Sequence, residues 1–128
     1  MATNLVFKPF RGGVNTAQKH INNIAANLHT IRNHGYRLAD KSYRITSQFD
    51  EHMANAYSAL NTSLKEARGG SSRQTAATAI QHLSSAVNLI GVHLPNSLAH
   101  TEASAALNSA IQSHAALTKH EAETSSNV

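Results

Sequence analysis

Apolar residues recur at steps of three and four along this chain, and that spacing constrains the fold more than any other feature. The first stretch of the pattern consists of Val14, Ala17, Ile21, Ile24, Leu28 and Ile31. This spacing lines one side of an α-helix, whereas one face of a β-strand repeats every second residue. The stripe is narrow, as in helices that pack against other helices. We therefore predict an all-α protein.

Glycine and proline divide the pattern into separate helices. The first is expected from about Asn15 to Asn33, with Gly35 as a left-handed residue just beyond its end. The second is expected to begin near Asp40, as its N-cap, and to stop at Gly69-Gly70. A glycine inside a helix costs only about 1 kcal/mol. The sequence therefore leaves open whether helices 1 and 2 form a hairpin or one long helix.

The third and fourth helices have clearer boundaries. Ser71 and Gln74 fit a capping box, and Pro95 disfavours helix at the residue before it. Asn96 or Ser97 is expected to cap helix 4. The apolar seam of helix 2 is predicted at Ile45, Phe49, Met53, Ala56 or Tyr57, Leu60 and Leu64, and that of helix 3 at Ala76, Ile80, Leu83, Val87, Ile90 and Leu94. That of helix 4 is predicted at Ala99 or Leu98, Ala103, Ala106 or Leu107, Ala110 or Ile111, His114 and Leu117.

The chain of 128 residues suits one domain. Short links between long helices predict an antiparallel, up-down bundle of about four helices arranged as two hairpins. We place this bundle at residues 14–120. Residues 1–13, with Pro9 and Gly12-Gly13, are expected to form an extended N-terminal tail, and residues 121–128 a frayed C-terminal tail.

The C-terminal part of the chain is unusually poor in charge. From Gln74 to Val128 the only charged residues are Glu102, Lys119, Glu121 and Glu123. A helix in water normally has a charged outer face, so a weakly solvated face favours burial against another chain. The predicted partner-binding residues are Ala99, Ala103, Ala106 and Ala110 on helix 4, with Phe7 and Phe10 in the tail.

These features predict a non-catalytic interaction protein that acts through helix-to-helix packing. It could serve as a self-assembling subunit, as an adaptor or chaperone, or as a small effector. The expected partner is a protein or a second copy of the chain, and a homo-oligomer is favoured.

A basic cluster provides the alternative. The net charge of +4 is uneven, because ten of the eleven Lys and Arg residues lie in residues 1–73. The cluster at the first bend consists of Arg32, Arg37, Lys41 and Arg44, interleaved with Tyr36 and Tyr43. Such a patch could bind phosphate groups or a nucleic acid.

The sequence offers little for other functions. The nine histidines include no pair at the spacing that places two ligands on one helical turn, and no motif of a nucleophilic or acid–base site is present. We therefore expect no enzyme activity, no cofactor and no metal. No apolar run reaches the roughly 20 residues of a membrane span. With no cysteine and no signal-peptide pattern, the expected location is the cytoplasm, or outside the cell by export without a cleaved signal.

Overall fold

A computed structural model describes residues 15–126, with side chains to residue 124. Four α-helices account for most of it, and no strand occurs in these residues. They are α1 (Thr16–Gly35), α2 (Tyr43–Glu66), α3 (Arg73–His93) and α4 (Leu98–Ser126). Short 3-10 helices follow α1 at Tyr36–Asp40 and α2 at Ala67–Gly69. The prediction of an all-α fold is confirmed.

Contacts between the helices establish an up-down bundle. Gln18 at the start of α1 donates a hydrogen bond from its side-chain amide to the carbonyl oxygen of Leu64 near the end of α2, at 3.2 Å. The same antiparallel relation holds between α1 and α4, because Asn27 bonds to Ser109 at 3.1 Å while His34, further along α1, contacts Glu102, which is earlier in α4. Helices 1 and 2 therefore form a hairpin, which answers the question that the sequence left open.

The bundle core is made of the predicted seams. In α1 the buried residues are Ala17, Ile21, Ile24, Leu28, Ile31 and Gly35. In α2 and α3 the predicted large apolar residues are buried or partly buried, and Ala56 rather than Tyr57 faces inward. In α4 the core positions are Ala99, Ala103, Ala106, Ala110 and Leu117. Where the sequence allowed either an alanine or a larger neighbour in α4, the alanine is the more buried, so the backbone of α4 can approach its neighbours closely.

The bend between α1 and α2 depends on a close contact rather than on a left-handed residue. Gly35 is buried at φ −68°, so the prediction that it is a left-handed cap is wrong. A Cβ atom at Gly35 would lie only 1.9 Å from the ring of Phe49. The absence of a side chain lets this ring, which is 2% exposed, close the end of the hairpin. Among the described glycines, the left-handed one is Gly70, at φ 76° in the α2–α3 turn.

Helix caps differ in part from the predictions. The N-cap of α2 is Ser42, whose hydroxyl accepts from the amide of Ile45 at 3.1 Å, and not Asp40. Ser97 caps α4 as one of the two expected residues, since its hydroxyl accepts from the amide of His100 at 3.0 Å. A capping box does occur at α1, between Asn15 and Gln18.

The N-terminus of α3 is capped from another helix. The N-cap residue is Ser72, whose side chain makes no local cap, so the predicted box of Ser71 and Gln74 is wrong. Instead, the carboxylate of Glu121 accepts from the amide of Ser72 at 3.0 Å, from its hydroxyl at 2.6 Å and from the amide of Arg73 at 3.0 Å. A carboxylate suits a helix N-terminus because free N–H groups and the positive end of the dipole meet there.

The same contact corrects the C-terminal boundary. Residues from Glu121 onward were expected to fray, yet α4 continues to Ser126 and Glu121 is 1% exposed. The physical reason is the anchoring of this carboxylate on α3, which holds the last turns of α4 against the bundle.

Candidate interaction surfaces

The four alanines predicted to bind a partner lie inside the bundle. Ala99, Ala103 and Ala110 are at most 2% exposed and Ala106 is 6% exposed. Their seam packs against the other helices of the same chain, so the structure corrects their placement on a binding surface. Phe7 and Phe10 lie outside the described residues.

The charge-poor character of α3 and α4 nevertheless extends to their outer surface. Between Gln74 and His114, Glu102 is the only Lys, Arg, Asp or Glu residue. Its carboxylate lies 3.1 Å from Nε2 of His34 on α1, which places it on the α1 side of α4. The side of α4 that meets α3 therefore carries no Asp, Glu, Lys or Arg over these residues.

Two contacts locate the seam between α3 and α4. Near one end, His100 packs over Gly91, where a Cβ atom would lie 2.6 Å from Nε2 of the imidazole. Near the other end, Nε2 of His114 is 3.1 Å from the carbonyl oxygen of Arg73. Ser104, Leu107 and Ile111 lie between these two histidines in α4. Helical spacing places them on the same side of the helix, along this seam.

We call this surface the α3–α4 outer face. It comprises Ser104, Leu107, Ile111 and Ala115 on α4 and Ala77, Ser84 and Asn88 on α3. Ile111 is 42% exposed, and Leu107 packs partly against the core. Val92 and Leu98, at the end of the bundle where α3 meets α4, are 62% and 67% exposed. Small and apolar side chains without charge allow another helix to approach this face at low desolvation cost.

A second surface lies at the α1–α2 hairpin. Arg32, Tyr36, Asp50 and Tyr57 are exposed, and they surround a cavity of about 310 Å³ whose remaining lining residues are Leu28, Met53 and Ala54. Its lining combines apolar groups with one cation, one carboxylate and two phenol rings. Tyrosine and arginine are common at the centres of binding interfaces.

The predicted basic cluster is only partly assembled. All four cations are exposed, but Arg37 lies in the 3-10 helix, Lys41 follows it and Arg44 lies in α2. The cations therefore surround the bend, and Arg37, Lys41 and Arg44 do not form the single row that their i, i+4, i+7 spacing would give in one helix. Arg32 alone of the four lines the cavity. Sequence reasoning missed Tyr57 as a neighbour of Arg32, because the two residues lie on different helices and line one cavity only in the folded chain.

The nine histidines are dispersed. Within residues 15–126, no group of three or more His, Asp or Glu side chains is arranged to hold a metal ion. Rings of His52 on α2 and His82 on α3 do come together, with centroids 5.8 Å apart. Helices in this part of the chain are not long and apolar enough to cross a bilayer.

No family model, curated protein or solved structure matches this chain.

Proposed function

We propose that this chain is a non-catalytic helical subunit that self-associates through the α3–α4 outer face. The observation that supports it is the absence of formal charge along this seam, together with an exposed Ile111 and small neighbours. A helix surface that contacts only water normally carries charged residues, so their absence over several turns favours contact with another chain. The alanines that were expected to bind the partner instead pack α4 closely against the bundle. The surface proposed to bind the second copy is therefore the α3–α4 outer face.

The dimensions of the face suit a helix-to-helix contact. From His100 to His114 the seam is about 21 Å long at 1.5 Å per residue. A neighbouring helix of about four turns would cover it. Stable interfaces bury about 1,600 Å² in total, so the contact would extend beyond the seam to Val92 and Leu98 at the end of the bundle.

Replacement of Ile111 by glutamate tests the proposal. A carboxylate buried in a dry interface without a partner should weaken self-association about 100-fold or more. Asn61→Glu is the matched control, because it adds the same charge to an exposed position of α2. Sedimentation equilibrium would compare the two variants with the wild type. Equal association constants for Ile111→Glu and Asn61→Glu would exclude the α3–α4 outer face as the interface.

A second candidate function is binding of single-stranded nucleic acid at the hairpin bend. It is favoured by the exposure of all three tyrosines, since Tyr36, Tyr43 and Tyr57 are 63%, 89% and 51% exposed. Tyr36 and Tyr57 line the cavity with Arg32, and Tyr43 precedes the exposed Arg44 in the chain. Exposed aromatic rings stack on bases, and cations bind the backbone phosphates. Binding of a labelled single-stranded oligonucleotide should then weaken steeply with salt and in Tyr43→Ala. Unchanged binding in that variant would exclude stacking at this position.

A further inference from the structure

His52 and His82 form a pair of imidazoles across two different helices. They lie near the middle of α2 and α3, and each is partly exposed. Their ring centroids are 5.8 Å apart and the rings are inclined by 38°. We propose that this pair binds a divalent transition-metal ion such as Zn²⁺ or Ni²⁺, with water or an external ligand at the remaining positions.

The separation suits two imidazoles on one ion. With Zn–N bonds of about 2.1 Å, each ring centroid lies about 3.2 Å from the metal, so the tetrahedral angle places the centroids about 5.2 Å apart. The observed 5.8 Å differs from this by an amount that small side-chain rotations remove. Imidazole nitrogen is a preferred ligand for zinc, copper and nickel.

An unpartnered nitrogen provides an independent reason. Nδ1 of His52 is buried and has no hydrogen-bond partner, and it is the only such side-chain atom among the described residues. A buried polar atom without a partner is costly and calls for an explanation. Rotation of the ring by half a turn exchanges Nδ1 with a carbon, and no hydrogen bond to Nδ1 opposes it. In the proposed site the rotated ring presents this nitrogen to the ion, and the rotation leaves the 5.8 Å centroid separation nearly unchanged.

The site would be open rather than closed. No third His, Asp or Glu side chain joins the pair within residues 15–126. Two protein ligands leave at least two positions of a tetrahedral ion for water or another molecule. The ion would also link α2 to α3, so its binding should stabilise the folded chain by mass action.

Isothermal titration calorimetry of the untagged, full-length protein with ZnCl₂ measures the stoichiometry and the affinity, and so tests the proposal. We expect one ion per chain in the wild type, and an affinity lower by about tenfold or more in His52→Ala, His82→Ala and His82→Gln, because each loses one of the two ligands. His29→Ala is the control, since His29 is exposed on α1. Circular dichroism would verify that each variant is folded. If the alanine variants do not fold, His82→Gln still tests the site, because it removes the imidazole and keeps a polar side chain.

Nuclear magnetic resonance gives a second readout on the wild type alone. Substoichiometric Ni²⁺, which is paramagnetic in such a site, should broaden the imidazole signals of His52 and His82 before those of the other seven histidines. Broadening spread over all nine, or a zinc affinity that is the same in the two alanine variants as in His29→Ala, would overturn the proposal.

Discussion

Removal of the Glu121 carboxylate should destabilise the bundle more than its position near the C-terminus suggests. This carboxylate accepts from two amides and one hydroxyl at the start of α3, and it is 1% exposed. In Glu121→Ala these donors lose their acceptor. Ser72 is fully buried, whereas the hydrogen bond from the amide of Arg73 is only part-buried, so the two Ser72 donors decide the cost.

The magnitude follows from these donors. Each buried donor left unsatisfied costs about 1–3 kcal/mol, so two of them give a loss of roughly 2–6 kcal/mol. Domains of this size have an unfolding free energy of about 5–15 kcal/mol, so the loss is a large part of the total. Glu121→Gln should cost less than Glu121→Ala, because its amide oxygen still accepts a hydrogen bond. Some loss should remain, because its NH₂ group faces other donors and accepts nothing.

Urea unfolding followed by circular dichroism is the assay. With a slope near 2 kcal/mol per molar, a loss of 3 kcal/mol lowers the midpoint by about 1.5 M. Glu51→Ala removes the same charge from an exposed position of α2 and is the matched control. Hydrogen exchange should also show faster exchange of the amides of Ser72 and Arg73. A midpoint for Glu121→Ala within about 0.2 M of that of Glu51→Ala would refute the reasoning.

Three further predictions concern packing and capping. Gly35→Ala should lower the unfolding free energy by about 1–3 kcal/mol, because a Cβ atom would overlap the Phe49 ring, and the double variant with Phe49→Leu should recover part of the loss in the same urea assay. Ala103→Glu places a carboxylate at a 0% exposed position, so circular dichroism should show an unfolded chain rather than a folded, dissociated one. Asn15→Ala removes the capping side chain of α1 and should cost about 1 kcal/mol, and a change in thermal midpoint below 1 °C would contradict this.

The helices and their inner faces could be predicted from local spacing alone. Residues such as Ile21, Leu28 and Leu83 lie on seams that any helix of this sequence must present on one side. The end of α3 near Pro95 and the cap at Ser97 follow from chemistry within a few residues. Local rules therefore gave the elements of the bundle with small errors at their ends.

Features that depend on distant residues could not be predicted in this way. Glu121 caps a helix whose N-cap residue, Ser72, lies 49 positions earlier, and no local pattern shows that pairing. Gly35 is required by the ring of Phe49, which meets it only when the hairpin closes. The polar contact of Ser63 with Thr75, at 2.6 Å across the α2–α3 turn, is of the same kind.

The candidate sites also combine features that the local sequence shows with features that depend on distant residues. The low charge of α3 and α4 was evident in the sequence, but which of its residues face outward was not. Alanine at a seam position indicates close packing, whether the neighbouring helix belongs to the same chain or to another. Arg32 on α1 and Tyr57 on α2 line one cavity only because the two helices pack against each other, so this surface emerges only in three dimensions.

Absolute mass by light scattering after size exclusion tests the central proposal most directly. The wild type and Ile111→Glu would be compared at low and high salt, with Asn61→Glu as control. Self-association through the α3–α4 outer face predicts a multiple of 13.7 kDa for the wild type and the control at both salts, and a monomer for Ile111→Glu. A wild-type monomer at both salts, or an oligomer that Ile111→Glu leaves intact, would contradict it.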